Sequence, residues 1–584
     1  MLELSARTRR EALRRMAAHG VDVLVIGGGI TGAGVALDAA ARGFRVGLVD
    51  ARDFAGGTTS RSTKLVHGGI RYVPQGNIAL VREALHERAT LLTIAPHLVR
   101  PLPFLIPFYR EVRRPLGMRV PAILSSLAPL GVRAGLWAYD FLAGASASFH
   151  KEFSGVGTAH AGSARQPVPR HRRLSQETAV RLAPGLRTDG LRVVFLYYDA
   201  QTDDVRLTLA VLRSAAVRGA LLANHARVTA LRLKDGRVTG AEVRDEIAGA
   251  HHTIGAPHVV NAAGIWAEEV ARLDGTRPAF RLKHAKGVHL VVDRARAGLH
   301  ETAVVIPETS DGRLAFLVPW GRRVILGTTD EAYSGDLVHP VAEPGEVRYL
   351  IEHANHVLNT GLTTADVIGA YAGLRPLISA AEGAPTAALS REHQVVESAT
   401  GLVSIVGGKL TTYRRMAQDA VDHLARRAGR PLPCTTAILP LDGAEGLEEV
   451  RPRVPRRVQA LGLGGEVSKH LLEGYGDHAE AVLDLAEENP ALATPLLPSL
   501  PFIAAEVVYA ARHEMALTLT DLLLLRMRLT ILDPDHGLGC ARRAAEILGA
   551  EMGWGTGEMD AQVEAYRQAV RRELEAILPA GAPA

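Results

Sequence analysis
The period of the apolar positions changes several times along the chain, and each change marks a boundary. Val23, Leu24, Val25 and Ile26 form an unbroken apolar run, which predicts a short parallel strand buried on both faces. A glycine-rich turn follows, then an alanine-rich helix predicted over Ala33–Arg42 and stopped by Gly43. Phe44 to Val49 predicts the next strand, which ends at Asp50. The residues before it, Met1 to Gly20, predict an amphipathic, arginine-rich helix, and Asn77 to Ala95 predicts another amphipathic helix. From Pro101 to Gly144 the pattern is broken by Pro101, Pro103, Pro107, Pro115, Pro121 and Pro129. Arg110, Arg113, Arg114, Arg119 and Arg133 lie there among Leu, Ile, Val, Met and Trp137. Apolar surface rimmed with arginine predicts either a segment that dips into lipid headgroups or a buried linker. Phe195–Asp204 leads into a predicted helix over Val205–Arg218. Ala226 to Asp245 predicts a hairpin turning at Asp235-Gly236. Further strands are predicted within Pro257–Ala267, Lys286–Asp293, Arg313–Asp330 and Tyr371–Leu377. Gly401 to Asp422 returns to strand, Gly-Gly and helix, and from about Leu432 the pattern is helical throughout.

The turn after the first strand carries Gly27, Gly29 and Gly32 in the GxGxxG frame. In that frame the first glycine permits a tight turn, the second lets backbone approach a pyrophosphate, and the third lets helix pack on strand. The helix N-terminus offers N–H donors and a positive dipole end to the phosphate. Asp50 ends the second strand, where a carboxylate accepts the ribose diol and repels an extra phosphate. Strand, turn, helix, strand and acid in register predict a dinucleotide site. Gly56, Gly57, Thr58, Thr59, Ser60, Ser62 and Thr63 then form a hydroxyl-rich segment able to donate to a phosphate or a ring system. The Gly407-Gly408 turn, with Lys409, Thr411 and Thr412 before a helix, predicts a second cofactor contact, with threonine capping the helix.

Composition narrows the partners. The chain has 584 residues, enough for two to four domains, with 47% hydrophobic and 22% charged residues. A net charge of +5 suits an anionic substrate or membrane surface. The basic residues are spread and aromatics make up only 5%, which argues against nucleic acid. Cys434 and Cys540 match no metal or redox spacing, so a reducing, cytoplasmic setting without disulfides is expected. No apolar signal core opens the chain, and no stretch has the roughly 18 apolar residues needed to span a bilayer. His513-Glu514 begins an HExxH pattern, but position 517 is Leu, so no metal site is expected and the pair reads as structural.

With these pieces in order, the chain resembles the FAD-dependent, membrane-associated glycerol-3-phosphate dehydrogenase family. The resemblance rests on VIGGGITGAGVALDAAARG, GTTSRSTKLVHGGIRY, TDDVRLTL, NAAGIWA, KGVHLVV, ILGTTD, GLRPL, SREH and IVGGKLTTYRRMAQDA. RHEMALTLTDLLLLRMRL in the helical tail also fits. Asp50 departs from the family's usual Glu, and Gly56-Gly57 lies where relatives vary. The resemblance implies an α/β fold: a Rossmann-like FAD-binding domain, an inserted, mainly antiparallel β-sheet substrate domain, and a C-terminal all-helical domain. The expected division is 1–100 and 396–430 for FAD, 101–150 for membrane association or linkage, and 431–584 for the helical domain. Residues 151–255 and 280–395 then form the substrate domain, with returns to the FAD domain near 195–225 and 256–270.

The resemblance also implies the chemistry: oxidation of sn-glycerol 3-phosphate to dihydroxyacetone phosphate, with electrons passed to membrane quinone. A glycerol-3-phosphate oxidase using oxygen, or a related FAD-dependent amine or amino-acid oxidase, is the alternative. FAD would contact Gly27, Gly28, Gly29, Ile30, Thr31, Gly32, Asp50, Thr59, Ser60, Ser62, Thr63, Lys64, His67 and Gly68. It would also contact Ala263, Gly264, Gly408, Lys409, Leu410 and Thr411. Arg71, Tyr72, Arg375, Arg391 and Lys409 would anchor the dianionic substrate, since arginine's planar fork matches phosphate. His289 is the first candidate for proton acceptor and His67 the second, with Arg375 lowering the alcohol's pKa. The implied location is cytoplasmic, peripheral on the inner face of the cell membrane, and the chain leaves a homodimer open.

Overall fold
The computed structural model describes residues 1–73, 76–112, 128–153, 168–378, 392–575 and 577. Val23–Ile26, buried at all four positions, pairs in parallel with Val46–Val49 on one side and His258–Asn261 on the other. Leu221–Ala223 and Val403–Gly407 extend this sheet in parallel, and His393–Glu397 closes one edge antiparallel. Strands as far apart in sequence as Val23–Ile26 and Val403–Gly407 therefore share the sheet that carries the glycine turn. The helix after that turn runs over Ile30–Ala41, starting three residues before the alanine-rich stretch. Gly29 is its N-cap, so Ile30, Thr31 and Gly32 are already helical. Three strands, Ala226–Lys234, Arg237–Asp245 and His251–Gly255, form a small antiparallel sheet beside it.

The second large sheet is mainly antiparallel. Near one edge, Leu282–Asp293 pairs with Val367–Ile378 over eleven positions and with Arg323–Gly327 on the other side. Ala315–Trp320 and Ala303–Ile306 continue it to Arg100–Tyr109 and Leu191–Gln201. Its two faces carry separate apolar cores, one around Leu290 and Val304, the other around Phe104 and Tyr197.

For its own part of 101–144, Arg100–Tyr109 favours the buried alternative over a segment that dips into lipid. It is a ten-residue strand, buried along most of its length, in register with Gln201–Leu191. Pro101, Pro103 and Pro107 all have one parity, opposite Ala200, Tyr198 and Val194. N–H groups alternate sides along a strand, so these prolines withhold donors from one edge only. Residues 113–127, with Pro115, Pro121, Arg113, Arg114 and Arg119, lie outside the described residues. A helix follows over Ala128–Phe153. It buries Val132, Leu136 and Tyr139, while Leu130, Trp137 and Phe141 stay 61%, 54% and 76% exposed. No described helix is long and apolar enough to cross a membrane.

The C-terminal helices have two cores of their own, around Val482 and around Leu522. They are not detached from the rest. The Thr556–Leu574 helix and the Leu529–Leu532 turn pack on the Val367–Ile378 strand. His513 bonds the Leu2 carbonyl and Glu514 pairs with Arg206 at 2.7 Å, so HExx is structural.

Candidate active site
One cavity of about 1090 Å³ runs from the glycine turn across both large sheets. Gly27 bends at φ +111°, and a Cβ there would meet the Ala262 carbonyl at 2.6 Å. A Cβ on Gly32 would sit 1.8 Å from the Gly27 carbonyl, so helix and strand touch only because position 32 is glycine. Gly27, Gly29, Ile30 and Thr31 line the cavity, and the Ile30 N–H donates to the Thr59 hydroxyl at 3.1 Å. Asp50 also lines it, accepting the Gly28 N–H at 2.5 Å and the Arg52 N–H at 2.8 Å. Burial raises its pKa against those two donors. Each oxygen retains acceptor capacity for a ribose hydroxyl.

The hydroxyl-rich segment folds as a 3₁₀ turn over Thr58–Arg61. Thr58, Thr59, Arg61, Ser62 and Thr63 line the cavity. The Thr58 hydroxyl donates to the Leu374 carbonyl at 2.7 Å, tying the turn to the second sheet. His67 lines the cavity, and its N–H donates to the Thr411 hydroxyl at 3.1 Å. That bond joins segments 344 residues apart. Gly408, Lys409, Leu410 and Thr411 line the same stretch, and Lys409 lies over the Tyr72 ring at 4.2 Å. A Cβ on Gly408 would meet the Met416 sulfur at 2.3 Å. No threonine side chain caps the helix that follows, contrary to expectation. Leu410–Thr412 forms a 3₁₀ turn instead, and the Thr411 hydroxyl is turned to His67. Ala263 and Gly264 line the cavity opposite, beside Trp266.

At the far end, His289 and Arg375 face the cavity from paired strands. His289 is buried, stacks on Tyr371 at 4.8 Å and shares a hydrogen with the Thr63 hydroxyl at 2.8 Å. Burial, aided by nearby Arg375 and Lys64, holds its pKa well below the usual histidine range, so the ring is neutral. Arg375 is held by Asp330 at 3.0 Å, the Thr328 hydroxyl at 3.2 Å and the Thr329 carbonyl at 3.3 Å. A Cβ on Gly287 would lie 2.6 Å from the Arg375 Nη2, so glycine is what lets the guanidinium cross the strand.

Five expected contacts lie off the cavity wall. Gly28 donates to Asp50 and Gly32 seats the helix, so both shape the turn from behind. The Gly68 N–H donates to Asp199 at 3.1 Å. Ser60 is buried, its hydroxyl on the Gly57 carbonyl. Lys64 is fully buried, with Nζ 2.8 Å from Asp204, because an ammonium in a dry interior needs a carboxylate. Burial and nearby Arg528 push its pKa down to about 8. Arg391 and the Arg71 side chain lie outside the described residues. Arg52, Arg61, Trp266, Arg313 and Asp330 line the cavity and escaped sequence reasoning. Arg61 forks onto Glu573, and Arg313 donates to the Asp330 carbonyl. Arg61 had a local signal, its place inside the hydroxyl segment, and Trp266 and Asp330 lie within the NAAGIWA and ILGTTD motifs.

A parallel sheet with a glycine turn, joined by one cavity to an antiparallel sheet carrying His and Arg, defines a dinucleotide-dependent oxidoreductase. Residues 22–414 match the family model described as FAD dependent oxidoreductase, and 434–559 match the C-terminal domain of alpha-glycerophosphate oxidase. The chain belongs to the FAD-dependent oxidoreductase family, in the branch that carries this C-terminal domain. It is 40% identical to glycerol-3-phosphate dehydrogenase 2 of Mycobacterium tuberculosis over 97% of this chain and 91% of that protein. With the human mitochondrial glycerol-3-phosphate dehydrogenase it shares 34% over 95% of this chain and 73% of that protein. The Bacillus halodurans glycerol-3-phosphate dehydrogenase, solved with FAD, superposes with a TM-score of 0.77 at 30% identity. That match covers 98% of this chain and 99% of the other.

Proposed function
We propose that the protein oxidises sn-glycerol 3-phosphate to dihydroxyacetone phosphate with FAD and passes the electrons to membrane quinone. The observation that carries this reading is the continuity of one cavity from Asp50 to His289 and Arg375. The cavity's size exceeds that of most small-molecule sites, roughly 300–1,000 Å³, as a dinucleotide plus a substrate requires. The likeness to glycerol-3-phosphate dehydrogenases over nearly the whole chain supports it.

The residues fit FAD. Gly27 and Gly29 would admit the pyrophosphate to the helix N-terminus, and Asp50 would take the ribose. The Thr58–Thr63 segment, Ala263, Gly264 and Lys409–Thr411 would hold the rest. FAD, when bound, supplies the hydride acceptor. Lys409, Tyr72, Arg71, Arg375 and Arg391 would anchor the phosphate, and Arg375, fixed by Asp330, would stabilise the developing alkoxide. His289 would take the hydroxyl proton, with His67 second, and the burial that lowers its pKa makes it a weaker base than a free imidazole.

The basic chain and the exposed Leu130, Trp137 and Phe141 on one helix support attachment to an anionic lipid surface on the inner face of the cell membrane. The glycerophosphate-oxidase C-terminal domain favours one rival, an enzyme that hands its electrons to oxygen. Anaerobic mixing with glycerol 3-phosphate should bleach the flavin absorbance, and an unbleached flavin would sink the substrate. Reoxidation by a soluble quinone faster than by oxygen selects the dehydrogenase; stoichiometric peroxide selects the oxidase.

A further inference from the structure
Three charged side chains from the C-terminal helices hold residues at the cavity's edge or directly behind its wall, and none has a role in the chemistry above. The Asp521–Arg526 segment is a turn of π-helix, a form that re-aims side chains and recurs at functional sites. It ends on Arg526, whose buried guanidinium grips Asp53 at 2.5 and 3.0 Å. Two residues on, Arg528 adopts a left-handed backbone, φ +58°, and is also buried. Its Nη2 donates to the Ser60 carbonyl at 2.6 Å and lies 3.6 Å from Asp204. Asp204 already takes Lys64 Nζ at 2.8 Å and the Ser62 hydroxyl at 2.6 Å. Glu573, near the end of the last helix, holds Arg61 at the cavity edge.

Two buried cations therefore share one carboxylate directly behind the Thr58–Arg61 turn. As a source of stability this is poor, because buried charge carries a desolvation cost that well-packed apolar groups avoid. As a device for position it is effective. The Ser60 carbonyl is pinned from behind by Arg528 and by Lys64 at 3.3 Å, and Thr58, Thr59 and Arg61 of the same turn face the cavity.

We propose that Arg528 is a positioning residue of the active site, holding the Thr58–Thr63 segment at the depth that bound FAD requires. Arg526 holds Asp53, just before this segment, and Glu573 holds Arg61 within it. The C-terminal helices are thus part of the cofactor site. This rests on the flavin reading above.

The test uses the full-length chain as wild type, Arg528→Gln, Arg528→Lys and Glu573→Gln, with far-UV circular dichroism as the folding control. FAD affinity is measured by fluorescence titration, alongside the flavin spectrum and kcat and KM for glycerol 3-phosphate. Arg528→Gln should weaken FAD at least tenfold, and Arg528→Lys should stay within threefold of wild type. Glu573→Gln should raise KM at least threefold. A folded Arg528→Gln with FAD affinity within twofold of wild type overturns the proposal. Should Arg528→Gln not fold, Glu573→Gln decides: a KM and flavin spectrum both unchanged overturn the proposal, and a shift in either supports it. Wild type that binds FAD but is not reduced by glycerol 3-phosphate refutes the substrate, while the comparison of FAD affinities still decides the role of Arg528.

Discussion
Gly287 and Gly373 face each other across paired strands, and the space they leave is filled by Arg375 and by the Arg61 backbone. Gly287→Ala would press a methyl onto the Arg375 guanidinium and onto the Thr328 hydroxyl, each 2.6 Å away. The fold should absorb it, but the guanidinium must shift. Turnover should fall about a hundredfold, the scale of a 1 Å misplacement, with little change in Tm; full activity would remove Arg375 from the chemistry. Asp50→Ala deletes the acceptor of two turn N–H groups as well as the ribose contact. Its flavin should be lost on gel filtration, and an unchanged spectrum would count against the ribose role. His289 gives a pH signature. Its folded pKa lies below the usual 6.5, so the unfolded chain takes the proton first as pH falls. Wild type should lose about 1.4 kcal/mol per pH unit below 6.5 relative to His289→Gln, until the folded ring titrates. Parallel denaturation curves at pH 7 and 5 would measure it. Asp50 and the glycines were readable because their partners lie within about one βαβ unit. Lys64 was not, because the carboxylate that draws it inward is 140 residues away.

At the scale of elements, the short parallel strands and the Asp235-Gly236 hairpin follow from local pattern alone. Arg100–Tyr109 did not, because three prolines outweighed apolar content until their shared parity was matched to a partner strand. The helix over Ala128–Phe153 shows the same limit. Its polar anchor, Tyr139, donates to Asp199 at 2.6 Å, and Asp199 also takes Arg88 at 2.5 Å and the Gly68 N–H. Tyr139 thus links this helix to the turn that carries His67. Tyr139→Phe removes one of three donors from a buried carboxylate. It should cost about 1–3 kcal/mol in denaturant unfolding; a loss below about 0.5 kcal/mol would show that Arg88 and Gly68 satisfy Asp199 unaided.

The whole molecule brings its sites together from far apart. Val23–Ile26 and Val403–Gly407 flank His258–Asn261, and the last helix closes on Arg61. No window of sequence contains that arrangement, so the constellation was accessible only through family likeness. The outer surface obeys simpler rules. Leu130, Trp137 and Phe141 lie along one face of their helix, and the chain carries a net charge of +5. Burying each aromatic in a lipid interface is worth about 1.5–3 kcal/mol, whereas the general positive charge acts over a Debye length of roughly 10 Å at 0.1 M salt. The two contributions separate experimentally. Wild type should sediment with anionic vesicles at low salt and keep part of that binding at 0.5 M salt. The double variant Trp137→Glu, Phe141→Glu should bind at least tenfold more weakly at low salt and not at all at high salt. Its turnover with a soluble acceptor should match wild type, since neither residue lines the cavity. If the variant sediments as wild type does, the lipid-facing surface lies elsewhere on the molecule.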